Sequence, residues 1–108
     1  MPKSGYKEFL IKSLKDPEEA QGYLEAALAD GDSKVFLAAL RDVAEAQGGM
    51  TSIAKKTKLH RTGLYRLFSR QGNPTYENLM VVVKALGYRL RLDRTPAKAR
   101  RISHAKAA

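Results

Sequence analysis

The chain has 108 residues, 44% of them hydrophobic, with no cysteine and no tryptophan, which fits one domain plus a tail around an aliphatic core and excludes disulfides and thiolate metal sites. Its net charge of +9 is unevenly laid out: residues 1–47 hold six Lys/Arg against nine Asp/Glu, a net −3, while residues 48–108 hold fourteen against two, a net +12. The basic part has the electrostatic footprint of a polyanion binder, the plainer alternative being a generally basic, soluble surface.

Helix signals come in regular order. Tyr6, Phe9, Leu10 and Leu14 recur at three- and four-residue spacing and predict a short amphipathic helix over residues 6–14. Asp16-Pro17-Glu18-Glu19 then reads as an N-cap, a proline at the first helical position and acid in the first turn. The helix it opens runs to about Ala29, with Ala20, Tyr23, Leu24, Ala27 and Leu28 on its apolar side, and Asp30-Gly31-Asp32 breaks it. Asp32 or Ser33 caps a third helix whose buried stripe is Val35, Phe36, Ala39, Leu40 and Val43, and Gly48-Gly49 ends it. Two short helices follow at about 50–57 and 60–69, then a loop at Gln71-Gly72-Asn73-Pro74. Thr75 caps a last helix through Leu86, with Leu79, Val82, Val83 and Leu86 inward and Gly87 as its stop.

The period then changes. Tyr88-Arg89-Leu90-Arg91-Leu92 alternates apolar with basic, which predicts a β-strand. A lone strand leaves its backbone groups unsatisfied. Pairing with the same strand of a second subunit is the simplest remedy and gives a two-fold homodimer; the alternatives are a strand folded back on its own domain and an extended tail. From Arg94 onward the chain is basic and poor in apolar bulk, so disorder is expected there. The longest apolar runs are about five residues against the ~20 that span a bilayer. The N-terminus leads into no apolar signal core, so a cytoplasmic protein with no membrane partner is expected.

The segment from Met50 to Phe68 reads as two helices meeting across a tight turn, a helix-turn-helix over roughly residues 50–69. Ile53, Leu59, Leu64 and Leu67 hold the pair at a fixed angle, and Ala54 is small where the second helix crosses. On a wheel of ~100° per residue, Leu64, Leu67 and Phe68 cluster on one side of the second helix. Thr62, Tyr65, Arg66 and Ser69 fall on the other, with Arg61 at its edge. Arginine can take guanine bidentately in the major groove, and Thr and Tyr can meet thymine methyls or phosphates; the alternative is a solvated helix face. Thr51 and Ser52 open the first helix, where free N–H groups and the dipole suit phosphate or where the two residues simply cap. Lys55, Lys56 and Arg70 are candidate phosphate contacts, each also readable singly as a surface charge. The candidate DNA-binding set is Thr51, Ser52, Lys55, Arg61, Thr62, Tyr65, Arg66 and Arg70.

From about Ile11 to Leu92 the chain resembles the addiction-module antidote proteins, a branch of the Cro/repressor-type helix-turn-helix superfamily similar to the HigA antitoxins. The resemblance rests on Tyr23-Leu24-Glu25-Ala26-Ala27-Leu28, Gly49-Met50-Thr51-Ser52-Ile53-Ala54-Lys55, Leu64-Tyr65-Arg66-Leu67-Phe68-Ser69, Gly72-Asn73-Pro74-Thr75, and Leu79 with Lys84-Ala85-Leu86-Gly87. Lys58 stands where the family's turn usually has Gly. A left-handed backbone there costs a non-glycine residue about 1–2 kcal/mol, so the turn is either shaped differently or tolerates that cost. Gly63 lies inside the second helix, where it either lets the backbone approach DNA closely or simply weakens the helix.

The resemblance implies an all-α fold, a Cro/repressor-like helical bundle with extra N-terminal helices and a short C-terminal β-strand used in dimerisation. It divides the chain into an N-terminal helical extension, residues 1–31, as toxin-binding region; a helix-turn-helix core with the strand, residues 32–93; and a basic disordered tail, residues 94–108. It implies an antitoxin that binds double-stranded DNA at an inverted-repeat operator, represses its own operon and neutralises a RelE/HigB-like, RNA-cleaving toxin. The acidic N-terminal half then gains a candidate role, with Glu8, Asp16, Glu18, Glu19 and Glu25 facing a basic toxin; otherwise those acids are solvated. The rivals are a stand-alone prophage-type regulator without a toxin and an interaction protein whose helix-turn-helix frame no longer binds DNA. An enzyme is not expected: His60 and His104 are remote from each other, and no nucleophile–base–orienter set can be assembled. No cofactor and no metal are expected.

Overall fold

A computed structural model describes residues 2–69 and 71–96. Six helices follow one another: α1 (Pro2–Ser13), α2 (Pro17–Asp30), α3 (Ser33–Ala46), α4 (Gly49–Thr57), α5 (Arg61–Phe68) and α6 (Tyr76–Ala85). The described residues are therefore all-helical, and none of the helices is long and apolar enough to cross a membrane.

Local chemistry sets most of the boundaries. The Asp16 carboxylate accepts from the Glu18 N–H at 2.9 Å and starts α2, with Pro17 at its first position. Gly31, at φ 86°, closes the same helix in the left-handed region that glycine alone enters without strain. Asp32 rather than Ser33 caps α3, accepting from the Lys34 N–H at 2.9 Å. Thr75 caps α6 by accepting from the Asn78 N–H at 3.1 Å.

The core is one cluster. Leu40, Val43 and Ala44 of α3 sit fully buried at its centre, with Leu24 of α2, Ile53 of α4, Leu64 of α5 and Val82 of α6 around them. Helix α3 touches α1, α2, α4 and α5, so the bundle is built around it. Helix α1 is held partly by charge: Lys7 Nζ bonds Asp42 of α3 at 2.9 Å and lies 3.8 Å from Glu45. Tyr23 of α2 donates to the other Asp42 oxygen at 2.7 Å. Burial, then that bond to a carboxylate, push the Tyr23 phenol well above the usual tyrosine range. Asp42 thus ties three helices with one side chain.

Four apolar residues do not sit where periodicity places them. Tyr6, Phe9, Leu28 and Val35 are exposed, although neighbours in the same turns meet the bundle: Lys7 bonds Asp42, and Ala27 and Phe36 are buried. The expected strand is also absent. Residues 88–92 carry no strand, and no strand occurs anywhere among the described residues. A strand exists only as one side of a ladder, and no second strand among these residues supplies one. The chain is instead pinned at its start: the Tyr88 hydroxyl donates to the Pro17 carbonyl at 3.0 Å, and Tyr88 packs against the core. Beyond it Leu90 and Leu92 are exposed. The expected disorder from residue 94 falls mostly on residues 97–108, which lie outside the described residues.

Candidate nucleic-acid interface

Helices α4 and α5 are joined by three residues, 58–60, each with a defined backbone job. The Lys58 N–H bonds the Ala54 carbonyl at 2.9 Å and closes α4. Its φ of 62° makes Lys58 the sole non-glycine residue with positive φ among the described residues. The turn therefore has the shape that a glycine would supply, and lysine tolerates its strain. Replacing Lys58 by Gly is expected to raise stability by about 1 kcal/mol. That corresponds to roughly 4–8 °C in the midpoint of a thermal melt followed by circular dichroism; an unchanged or lower midpoint would mean the turn is unstrained. Thr57 locks the same corner, its hydroxyl donating to the Ile53 carbonyl at 2.8 Å and accepting from the Leu59 N–H at 3.1 Å. His60 caps α5: its Nδ1 accepts from the Thr62 N–H at 3.2 Å, which requires the imidazole to be unprotonated at that nitrogen.

The inner side of the pair is rigid. Ile53 and Leu64 are fully buried, Leu67 and Phe68 nearly so, and Ala54 and Leu59 pack against the same cluster. The end of α5 is clamped twice. Ser69 donates to the Arg66 carbonyl at 2.8 Å. Gly72, buried in the following loop, lies so close that a Cβ there would collide with the carbonyl oxygens of Arg66 and Leu67. The Gly72 carbonyl in turn accepts from Lys34 Nζ of α3 at 3.0 Å.

The outer side carries the sequence-predicted residues. Thr51, Lys55, Arg61, Thr62, Tyr65 and Arg66 are all exposed, and Ser52 is half-buried. Arg70 lies outside the described residues. Thr51 and Ser52 do not cap α4: its N-cap is Gly48, with no side-chain bond at that end. Among the described residues, no side chain accepts from the first-turn N–H groups of α4. Lys56 and Lys58 add exposed cations that extend the same basic run.

Electrostatics separate this face from the rest. No Asp or Glu occurs from residue 46 to residue 76. Among the described residues, none of Lys55, Lys56, Lys58, Arg61 and Arg66 is in an ion pair, whereas Lys7 and Arg41 on α1 and α3 are paired with Asp42 and Glu45. Uncompensated cations on a rigid helix pair suit an anionic ligand. No group of three or more His, Cys, Asp or Glu among the described residues is placed to hold a metal ion.

Two features were not read from sequence. One is His60 as the cap of α5; its signal was its place just ahead of Arg61, but histidine is not a residue that helix-capping patterns single out. The other is the bond from Lys34 to Gly72, which joins residues 38 apart in sequence and has no local signature.

Comparison with known proteins brings two matches. The family described as "probable addiction module antidote protein" matches residues 6–94. A protein of Haemophilus influenzae (strain KW20 / Rd), described as "Uncharacterized protein", is 36% identical over 86 residues, covering 80% of this chain and 88% of its own length. No solved structure matches the chain significantly.

Proposed function

The chain belongs to the family of probable addiction module antidote proteins, and from that premise we propose that it is the antitoxin of a type II toxin–antitoxin module. On this reading it acts without catalysis, neutralises a RelE/HigB-like toxin and represses its own operon. It is HigA-like, with α4 and α5 as a Cro/repressor-type helix-turn-helix. Helix α5 enters the major groove, and Arg61, Thr62, Tyr65 and Arg66 meet base edges and phosphates. Thr51, Ser52 and Lys55, with Arg70, hold the backbone. Two copies on an inverted repeat place their α5 helices about 34 Å apart, one turn of duplex. Residues 1–31 form the toxin-binding region.

The observation that carries the DNA half is the outer face of α5. Its polar and cationic side chains are exposed and, among the described residues, free of ion pairs, and they stand on a helix whose inner side is buried and clamped at both ends. A face of that kind holds side chains in fixed register for groove reading.

The test is fluorescence anisotropy with the chain's own promoter duplex and a scrambled control across a salt series. The expected result is a preference of ~10³-fold or more for the promoter at near-physiological salt. Weak binding to both duplexes with a similar salt slope would reduce the interaction to general electrostatics. A titration with the purified product of the adjacent reading frame tests the toxin half. Promoter binding without any binding of that product would make the chain a stand-alone regulator.

A further inference from the structure

Lys58 occupies a backbone position that suits glycine. Its φ of 62° lies in the left-handed region, where a Cβ crowds the following carbonyl, and the other residues with positive φ among those described, Gly31, Gly48, Gly49 and Gly87, are all glycine. A side chain held in a sparsely populated conformation points to function when local structure gives no reason for it. Local structure gives none here. The bond that closes α4 runs from the Lys58 main-chain N–H to the Ala54 carbonyl at 2.9 Å, and glycine would make it equally well. A cation is favourable at a helix C-terminus, but Lys55 and Lys56 already stand in the last turn of α4. Lys58 is exposed, and among the described residues no carboxylate pairs with it. The nearest acids in sequence are Glu45 and Glu77, whereas Lys55, Lys56, Lys58 and Arg61 put four cations within seven residues. In the free chain lysine at this position therefore carries backbone strain and like-charge repulsion together.

We propose that Lys58 is a phosphate contact: its ammonium meets the duplex backbone while α5 lies in the groove, and the strained turn is kept for that charge and not for its shape. The assignment rests on the DNA reading above and adds the turn between α4 and α5 to the binding surface. An anion at the turn converts the repulsion among the four cations into attraction and offsets the strain. The backbone is fixed on both sides of Lys58. Before it, the Thr57 hydroxyl donates to the Ile53 carbonyl at 2.8 Å; after it, the Leu59 N–H donates to the same hydroxyl at 3.1 Å. The charge therefore rises from a rigid corner directly ahead of α5, at a set place relative to the reading helix. A lysine ammonium is a point charge that any phosphate satisfies, so the contact adds affinity without adding sequence preference.

The experiment compares the full chain with three variants, by anisotropy on promoter and scrambled duplexes across a salt series and by thermal melts. Lys58→Gly removes charge and strain together, Lys58→Gln removes the charge alone, and Lys58→Arg keeps the charge. The expected result is that the Gly and Gln variants lose roughly fivefold in affinity at near-physiological salt, equally for both duplexes, and that the salt slope falls by about 0.9. The Arg variant keeps the parent's affinity and slope. The Gly variant then binds more weakly although it melts higher, a combination that a purely structural role for Lys58 does not give. Parent-like affinity and slope in both the Gly and Gln variants overturn the proposal and leave the DNA reading standing. A loss confined to the Gly variant assigns the effect to the shape of the turn and also overturns it. A loss confined to the promoter makes Lys58 a base contact and overturns the phosphate assignment. No binding of either duplex by the full chain overturns the DNA reading and this proposal with it.

Discussion

Replacing Gly72 by alanine is expected to destabilise the protein by about 3 kcal/mol, a drop of roughly 10–20 °C in melting midpoint for a domain of this size. The reason is steric. A Cβ at this position points at the Arg66 and Leu67 carbonyl oxygens, which are main-chain atoms at the end of α5 and cannot rotate aside as a flexible side chain can. Relief requires the loop to withdraw, which breaks the bond from the Gly72 N–H to the Ser69 carbonyl at 3.0 Å and that from Lys34 to the Gly72 carbonyl, also 3.0 Å. Alternatively α5 moves as a unit, in which case its outer side chains leave their register and promoter affinity falls with stability. A variant that melts within about 2 °C of the parent would show that the loop does not pack against α5 in this way.

Reversing two charges on α5 is expected to act in the opposite pattern, on binding and not on folding. Arg61 and Arg66 are exposed and free of ion pairs among the described residues, so Arg61→Glu/Arg66→Glu leaves the melting midpoint nearly unchanged. If both reach DNA, each lost contact is worth about 1–3 kcal/mol. Promoter affinity then drops by ~10²–10⁴-fold, with added repulsion of phosphates on top. The salt slope falls by about 0.9 for each phosphate contact removed. Undiminished discrimination between promoter and scrambled duplex would mean that α5 is not the reading helix.

What could be read from sequence was the chemistry that acts over a few residues. Asp16, Asp32 and Thr75 announce helix starts because an oxygen two or three residues ahead of a free N–H is a local arrangement. Leu40, Val43, Ile53, Leu64 and Val82 are legible as core because each repeats at helical spacing with apolar neighbours. Periodicity does not say whether another element covers an apolar stripe, and that is why Tyr6, Phe9, Leu28 and Val35 were placed inward but stand exposed. The alternation over residues 88–92 misled for a related reason: it describes a side chain pattern, whereas a strand needs a partner backbone, and Tyr88 is held by a carbonyl 71 residues away. At the candidate site, the outward direction of Thr62, Tyr65 and Arg66 followed from the wheel, and the structure exposes all three. The strained shape of the turn was legible as one of two options at Lys58, and its φ of 62° selects the left-handed one. The clamp on α5 from Gly72 and Lys34 depends on the path of the whole chain and had no trace in either segment alone.

Acids and bases are segregated along the chain. Its acidic residues lie almost wholly on α1 to α3, and an acid-free run spans α4, α5 and the loop after them. A polyanion that comes within about a Debye length, ~8–10 Å at physiological salt, attracts the acid-free segment and repels the acidic one. On the proposed reading, DNA meets α4 and α5, and residues 1–31 are left for the toxin.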